Sequence, residues 1–194
     1  SKFFPNGNAP AAGDADAMTK AANDDRALFF GKDRTLSVDD ASKFENGFSF
    51  VKFSNLRADG ASTNDSKHTD TDVPLMRLAE AYLTFAEATV RQNGGAAAEA
   101  TEAINTLRKR ANAKTETSYT LDHILDEWSR EFAFEGRRRS DLIRFGKFGG
   151  NTNYVWQWKG GVKDGTSFGK HLNLYPIPEN DLNVNNNLVQ HPGY

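Results

Sequence analysis

Two apolar stripes separated by a glycine stop constrain this chain more than any other feature. After Pro74, apolar residues recur at three- and four-residue steps: Leu75, Leu78, Ala79, Tyr82, Leu83, Ala86 and Val90. That period predicts a helix with one buried face. Pro74 suits the helix start, because its φ is already helical and its missing N–H is not needed there. Asn93-Gly94-Gly95 supplies the stop, since glycine readily takes the left-handed conformation that closes a helix. Leu75 to Gln92 is thus predicted as a helix about 27 Å long. A second stripe follows at Ala97, Ala100, Ile104, Leu107 and Ala111. Two such helices, joined by a few residues, pack antiparallel. Alanines at 79, 86, 100 and 111 let the two axes approach closely. This is the logic of a helix-hairpin repeat, and one unit of that kind stands out in the sequence.

The pattern continues with Thr120 as an N-cap, followed by Leu121, Ile124, Leu125, Trp128 and Phe132 on a third helix ended by Gly136. A shorter helix is predicted from Arg138 to about Phe145, burying Leu142 and Phe145. Beyond Gly146, glycine, asparagine and aromatics dominate and regular structure should be brief. Pro176 and Pro178 make Leu174 to Pro178 extended. Upstream the signal is weak. Ser1 to Lys20 is rich in Gly, Ala, Pro and Asn and reads as loop, with Phe3 and Phe4 before Pro5 and then Met18 as its large apolar residues. Short apolar runs follow at 27–30 and at 48–53, the second alternating as a short strand would. Arg57 to Asp72 reads as an exposed loop.

Composition narrows the chemistry. The 194 residues carry a formal net charge of −2 and 38% hydrophobic residues, without cysteine. Disulfides, thiol nucleophiles and thiolate metal sites are therefore excluded for these residues. The balanced charge gives no basic excess for nucleic acid. No apolar run is long enough to span a bilayer as a helix, and the first residues lack a secretory pattern.

Charged residues cluster on the predicted helices. Glu87 and Arg91 stand four apart in the favourable order, Arg77 and Glu80 three apart. Glu131, Glu135, Arg138, Asp141 and Arg144 crowd the junction of the third and fourth helices, and Arg108 lies on the second helix of the hairpin. Glu131 and Glu135, four apart on one helix, would lie on the same side, whereas glycoside hydrolysis needs carboxylates flanking a bond. Abundant arginine would also hold these acids ionised. The set reads as a structural charge network in which guanidinium forks bridge carboxylates and pin helices. The histidines at 68, 123, 171 and 191 are scattered, without metal-motif spacing. Acid pairs such as Asp14 and Asp16, Asp24-Asp25, Asp39-Asp40, and Asp70 and Asp72 match no calcium loop and read as solvated turns. No catalytic residue, metal site or cofactor is indicated.

Tyr154, Trp156 and Trp158 alternate. In an extended segment the three rings would share one face. Such a face, flanked by amides and lysine, suits the apolar C–H face of a sugar ring. The competing reading is that the rings cover the helical core.

Three segments, read in order, carry a family resemblance. The first runs from Asp72 through Leu83 to Ala88, with Ile104 to Ala111 on the helix after it. The second is Glu131-Phe132-Ala133-Phe134-Glu135-Gly136, then Arg138 and Asp141 to Arg144. The third is Leu174 to Pro178, then Asn187 to Tyr194. In this order and spacing they resemble the C-terminal part of the RagB/SusD family. Asp25-Arg26 and Lys52-Phe53 resemble weaker landmarks of it. Trp128, Arg139, Ser140 and His191 depart from its usual residues.

The resemblance implies a mainly α fold: a helical scaffold with a tetratricopeptide-like helix hairpin, long loops and few short strands. Residues 1–71 would be a variable, loop-rich middle section, and 72–194 the C-terminal helical region. It further implies non-catalytic binding of an oligosaccharide or polysaccharide at the outer-membrane surface, handed to a SusC-like TonB-dependent transporter. Members are lipid-anchored through an N-terminal cysteine and are longer than 194 residues, so this chain would be part of a longer one. The alternative is a protein-interaction scaffold built on the hairpin from Leu75 to Ala113. It needs an exposed apolar face at Leu78, Tyr82, Ile104 and Leu107.

Overall fold

The computed structural model describes residues 2–4, 8–57, 59–65, 67–69 and 71–194. It falls into two compact units, Ser1–Ala133 and Phe134–Tyr194. This division reports packing, a different property from the change of sequence character near residue 71.

In the first unit, the described elements in chain order are helix α1 (Ala15–Ala22), strands β1 (Phe29–Phe30) and β2 (Ser49–Phe50), then helices α2 (Leu78–Asn93), α3 (Ala98–Arg110) and α4 (Leu121–Glu131). The fold is mainly helical, as expected. α2 packs against both α3 and α4. Its buried face is Ala79, Leu83, Ala86, Glu87 and Val90. α3 buries Ala100, Ala103, Ile104 and Leu107. The close-packed alanines are those the hairpin reading singled out. α4 contributes Ile124, Leu125 and Trp128, all essentially inaccessible.

The helix starts and stops show where pattern and packing diverge. α2 begins at Leu78, with Arg77 extended as its N-cap. Leu75 and Leu78 are 91% and 72% exposed, so the buried stripe starts at Ala79 instead of Leu75. The cause is Arg77, whose guanidinium is drawn away to Glu131 and stacks 3.9 Å from the Phe132 ring centroid. Gly94 closes α2 at φ 67°, as predicted. Thr120 caps α4 by accepting from the His123 N–H, while His123 Nδ1 accepts from the Thr120 N–H. α4 stops at Glu131, five residues before Gly136, because Phe132 turns out of helical geometry and Phe134 adopts φ 60°.

α1 corrects the reading of the first twenty residues as loop. Asp14 accepts a hydrogen bond from the Ala17 N–H at 2.9 Å, a strong N-cap. Asn23 closes the helix in left-handed geometry. Met18, fully buried, joins Phe3, Phe4 and Ala27 in a small core flanked by Phe29 and Phe48. β1 and β2 pair antiparallel in the register Phe29↔Phe50 and Phe30↔Ser49, shorter than the alternating run suggested. Pro5 and Asp70 lie outside the described residues.

The second unit holds helices α5 (Arg138–Arg144) and α6 (Glu179–Val184), with short 3-10 turns at Lys159–Gly161 and Lys170–Asn173. α5 buries Leu142 and Asp141, while Phe145, expected to be buried, is half-exposed. The rest is loop, tied by side chains. Arg139 donates to the Leu172 carbonyl and stacks 3.9 Å from the Tyr175 ring centroid. The Tyr194 hydroxyl donates to the Leu174 carbonyl at 2.8 Å, docking the C-terminal residue.

Candidate functional site

Charged side chains of the first unit converge on Glu131. Its carboxylate takes Arg77 at 2.6 Å, Arg26 at 2.9 Å and Arg110 at 2.8 Å. Its backbone carbonyl takes Arg77 Nη2 and Lys52 Nζ. Burial alone would raise its pKa, but the hydrogen bonds from Arg77 and Arg26 and the charges of Arg26 and Arg110 outweigh it. Glu131 is held below the usual carboxylate range. Arg26 is the hub on the other side, joining Asp24, Glu127 and Glu131. Burial works against its charge, yet its hydrogen bonds with Asp24 and the charge of Glu127 hold the guanidinium more firmly protonated than usual. Arg108 lies 3.8 Å from Glu127 and donates weakly to the Tyr119 hydroxyl. Glu87 bridges Arg91 at 3.0 Å and, within the core, the indole N–H of Trp128 at 3.0 Å.

Sequence reasoning placed Arg77, Glu87, Arg108 and Glu131 here but missed Arg26, Arg110 and Glu127. The sequence did hold a signal for two of the contacts: Arg26 and Lys52 stand in the landmarks Asp25-Arg26 and Lys52-Phe53, and both reach Glu131. Glu80 sits in the first turn of α2, its N–H on the Arg77 carbonyl. Glu135 is not on α4 at all, which ends at Glu131. The two carboxylates therefore do not share a helix face as expected. An acid kept ionised by three arginines has no proton to donate to a leaving group.

In the second unit, Asp141 is fully buried between Arg137 at 3.2 Å and Arg144 at 2.9 Å, both on its own helix or its cap. Arg138 turns to the aromatic segment instead, donating to the Tyr154 hydroxyl at 2.6 Å.

That segment is a braced loop. Residues 154–156 belong to no helix or strand, and Trp156 is 39% exposed. The Tyr154 and Trp156 rings lie 6.4 Å apart at 65°, so they form a notch and not a flat floor. The alternation ends there. Trp158 sits in a turn at φ 67°, leaving the row that three-ring alternation predicted. Trp156 leans on Phe148, which meets Phe168 edge-on at 5.2 Å. Backbone N–H groups of Gly150 and Asn151 both donate to the Phe168 carbonyl, closing the loop. Gly165, at φ 74°, is obligatory: a Cβ there would run into the Trp156 carbonyl oxygen and Val155. These contacts build a local aromatic cluster with Trp156 at its surface.

A second feature lies in the first unit. Leu78, Tyr82 and Phe85 of α2 face Glu99, Glu102 and Thr106 of α3 across an open groove of about 510 Å³. Of the four residues the interaction reading required, Ile104 and Leu107 are buried, while Leu78 is exposed and Tyr82 half-exposed. Among the described residues, no three His, Asp or Glu side chains gather as a metal site, and no helix is long and apolar enough to cross a membrane. Asp14 caps α1 and Asp24 pairs with Arg26, so both have architectural work.

The pattern of the SusD family matches residues 7–194. The chain is 50% identical over 182 residues to the starch-binding protein SusD of Bacteroides thetaiotaomicron, covering 91% of this chain and 32% of that protein. The structure resembles a putative sugar-binding protein from Bacteroides vulgatus, with TM-score 0.61 and 26% identity over 91% of this chain and 37% of the other. It also resembles surface glycan-binding protein A from Bacteroides uniformis, with TM-score 0.51 and 30% identity over 61% of this chain and 27% of the other. The chain thus spans about a third of the length of the starch-binding relative. With the helical hairpin, the Glu131 network and a sequence match running through both units, the chain belongs to the SusD family.

Proposed function

We propose that this chain is the C-terminal part of a glycan-capture protein that binds an α-glucan without cleaving it. The observation that carries the reading is the 50% identity to a starch-binding protein over 91% of the chain. Residues 1–71 form the variable section and 72–194 the helical region of that protein. Within these residues, Trp156 supports a role in contacting sugar: it is surface-exposed on a loop whose own packing fixes the ring. Tyr154 forms the other wall of the notch, and Trp158 lies two residues on, in the turn that closes it. A ring fixed before binding loses little conformational entropy when a pyranose stacks on it.

Catalysis has no part in this reading, since the crowded acids are engaged by arginines. The full-length protein would sit at the outer-membrane surface on a lipid anchor and pass its oligosaccharide to a SusC-like TonB-dependent transporter. Calorimetry of the full-length protein with maltoheptaose, and chromatography of the sugar afterwards, test the central claim. Binding with the sugar recovered intact supports it. Absence of binding, or release of shorter sugars, sinks it.

The α2–α3 groove favours a second, compatible reading, in which the hairpin takes a protein segment. Its wall is apolar at Leu78, Tyr82 and Phe85, and its opposite rim is acidic at Glu99 and Glu102. Phe85→Arg should then weaken association with the transporter while leaving glycan affinity unchanged. An unaltered transporter complex would count against it.

A further inference from the structure

Lys159 is the buried charge that the ionic network leaves out. Its side chain is 1% exposed. Its ammonium donates to the Phe148 carbonyl at 3.1 Å and the Tyr154 carbonyl at 2.9 Å. It also lies 4.6 Å from the Trp156 ring centroid and 4.8 Å from that of Phe168. Among the described residues no carboxylate pairs with it. Two carbonyl dipoles and two π faces therefore carry the whole stabilisation of the charge.

Such a lysine is a poor way to fill space. Burying an ammonium without a counter-charge costs on the order of several kcal/mol. Consistently, burial lowers the Lys159 pKa from its ordinary 10.5, so the charge works against folding at neutral pH. A methionine has nearly the same reach and no charge. What the methionine cannot do is tie two carbonyls six residues apart in the chain and attract two ring faces together. The backbone confirms the placement: the Lys159 N–H donates to the Trp156 carbonyl, and the Lys159 carbonyl accepts from Thr166. Gly160, at φ 73°, leaves room for Phe168, since a Cβ there would crowd Thr166 and Phe168.

We propose that Lys159 is a positioning residue for the Tyr154–Trp156 notch: its ammonium cross-braces the loop and sets the angle at which Trp156 meets a sugar. The proposal rests on the glycan-binding reading for its purpose, though its structural half is independent of it. The braced loop would take one pyranose face on Trp156, and the brace acts through the ring without touching the ligand.

The test uses the full-length protein labelled with 5-fluorotryptophan, with Trp128→Phe, Trp156→Phe and Trp158→Phe assigning the 19F signals of the three tryptophans within these residues. In Lys159→Met the Trp156 resonance should shift and broaden while that of Trp128 stays in place. The denaturation midpoint should be equal or higher, and affinity for maltoheptaose should fall about two- to threefold, less than in Trp156→Ala. A merely structural lysine would instead lower the midpoint and move the signals together. A Trp156 resonance in Lys159→Met superimposable on the wild type overturns the proposal. If that variant fails to fold, the unaltered protein decides. Ring currents from Trp156 and Phe168 should shift the Lys159 ε-methylene protons upfield, and values of a free lysine overturn the proposal. Loss of the glycan reading is told apart by Trp156→Ala: if it leaves maltoheptaose binding untouched, that reading fails while the fluorine spectra still judge Lys159.

Discussion

Arg26 and Glu131 are separated by 105 positions in the chain, yet an Arg26 guanidinium nitrogen lies 2.9 Å from the Glu131 carboxylate, the acid buried and the arginine side chain 10% exposed. The contact ties the segment after α1 to the end of α4. Arg77 at the start of α2 and Arg110 at the end of α3 close on the same carboxylate. One acid therefore gathers the ends of three helices and an upstream loop. Removing it takes the carboxylate from Arg77 and one of three from Arg26, which keeps Asp24 and Glu127; breaking a buried pair on one side costs up to about 3–5 kcal/mol. Glu131→Ala should lower the urea midpoint accordingly, with Arg110, more than half exposed, contributing least. A loss under 1 kcal/mol would show the network to be decoration.

The same carboxylate predicts a pH dependence. Glu131 titrates below its ordinary 4.5 in the folded protein. A group with a depressed folded pKa adds stability that is fully present above its unfolded pKa and is lost as pH falls through the folded one. Glu131→Gln lacks this contribution at every pH. The stability gap between wild type and Glu131→Gln should therefore be constant above about pH 6 and narrow as pH drops below 4.5. Chemical denaturation at a series of pH values checks this, and a gap that widens in acid would contradict the assignment.

Trp128 and Glu87 make a third expectation. The indole N–H donates to the buried Glu87 carboxylate at 3.0 Å, while the ring packs 5.2 Å from Phe132. Trp128→Phe keeps most of the apolar volume but removes the donor. Leaving a buried acceptor short of a partner costs about 1–3 kcal/mol. A thermal melt should show the loss, and Glu87→Gln in the same background should recover part of it, because the acceptor is then uncharged.

Much of this was legible in the sequence, and the limits have physical causes. The stripes at Ala79, Leu83, Ala86, Val90 and at Ala100, Ile104, Leu107 are local periodicity, which a helix imposes on its own residues. Thr120 and Gly94 are local in the same sense. The start of α2 was misplaced because a tertiary partner, Glu131, pulls Arg77 out of the helix it would otherwise join. α1 escaped notice because its one buried anchor, Met18, sits among alanines and polar residues, leaving little stripe to read. In the candidate site, the ring positions were visible but their geometry was not. A strand would have kept Tyr154, Trp156 and Trp158 aligned; the turn at Gln157 breaks the row. Lys159 carried no signal, since a buried lysine and a solvated one look the same in sequence.

Gly165 offers the sharpest test of the loop. It sits at φ 74°, where a side chain is strained, and an added Cβ would meet the Trp156 carbonyl oxygen. Gly165→Ala should cost more than the roughly 1 kcal/mol typical of an unfavourable left-handed alanine, because backbone at Trp156 has to move as well. The damage should stay local, with α-helical circular dichroism retained and the Trp156 emission shifted to the red as the ring becomes more exposed. Unchanged emission would mean that the 162–166 turn does not fix the ring.

Trp156→Ala addresses function directly. The ring is 39% exposed beside Phe148, Tyr154 and Lys159, and that exposed part is the surface a ligand can meet. Aromatic contacts of this kind contribute about 0.5–1.5 kcal/mol beyond area burial, so loss of the ring should weaken maltoheptaose binding by about three- to tenfold. Loss of Tyr154 should do less, because its hydroxyl is committed to Arg138 at 2.6 Å and its ring stands at an angle to the notch. Calorimetry of both variants in the full-length protein gives the comparison. If Tyr154→Phe proves more damaging than Trp156→Ala, the sugar is read by the hydroxyl and its arginine, and the stacking account of the notch is wrong.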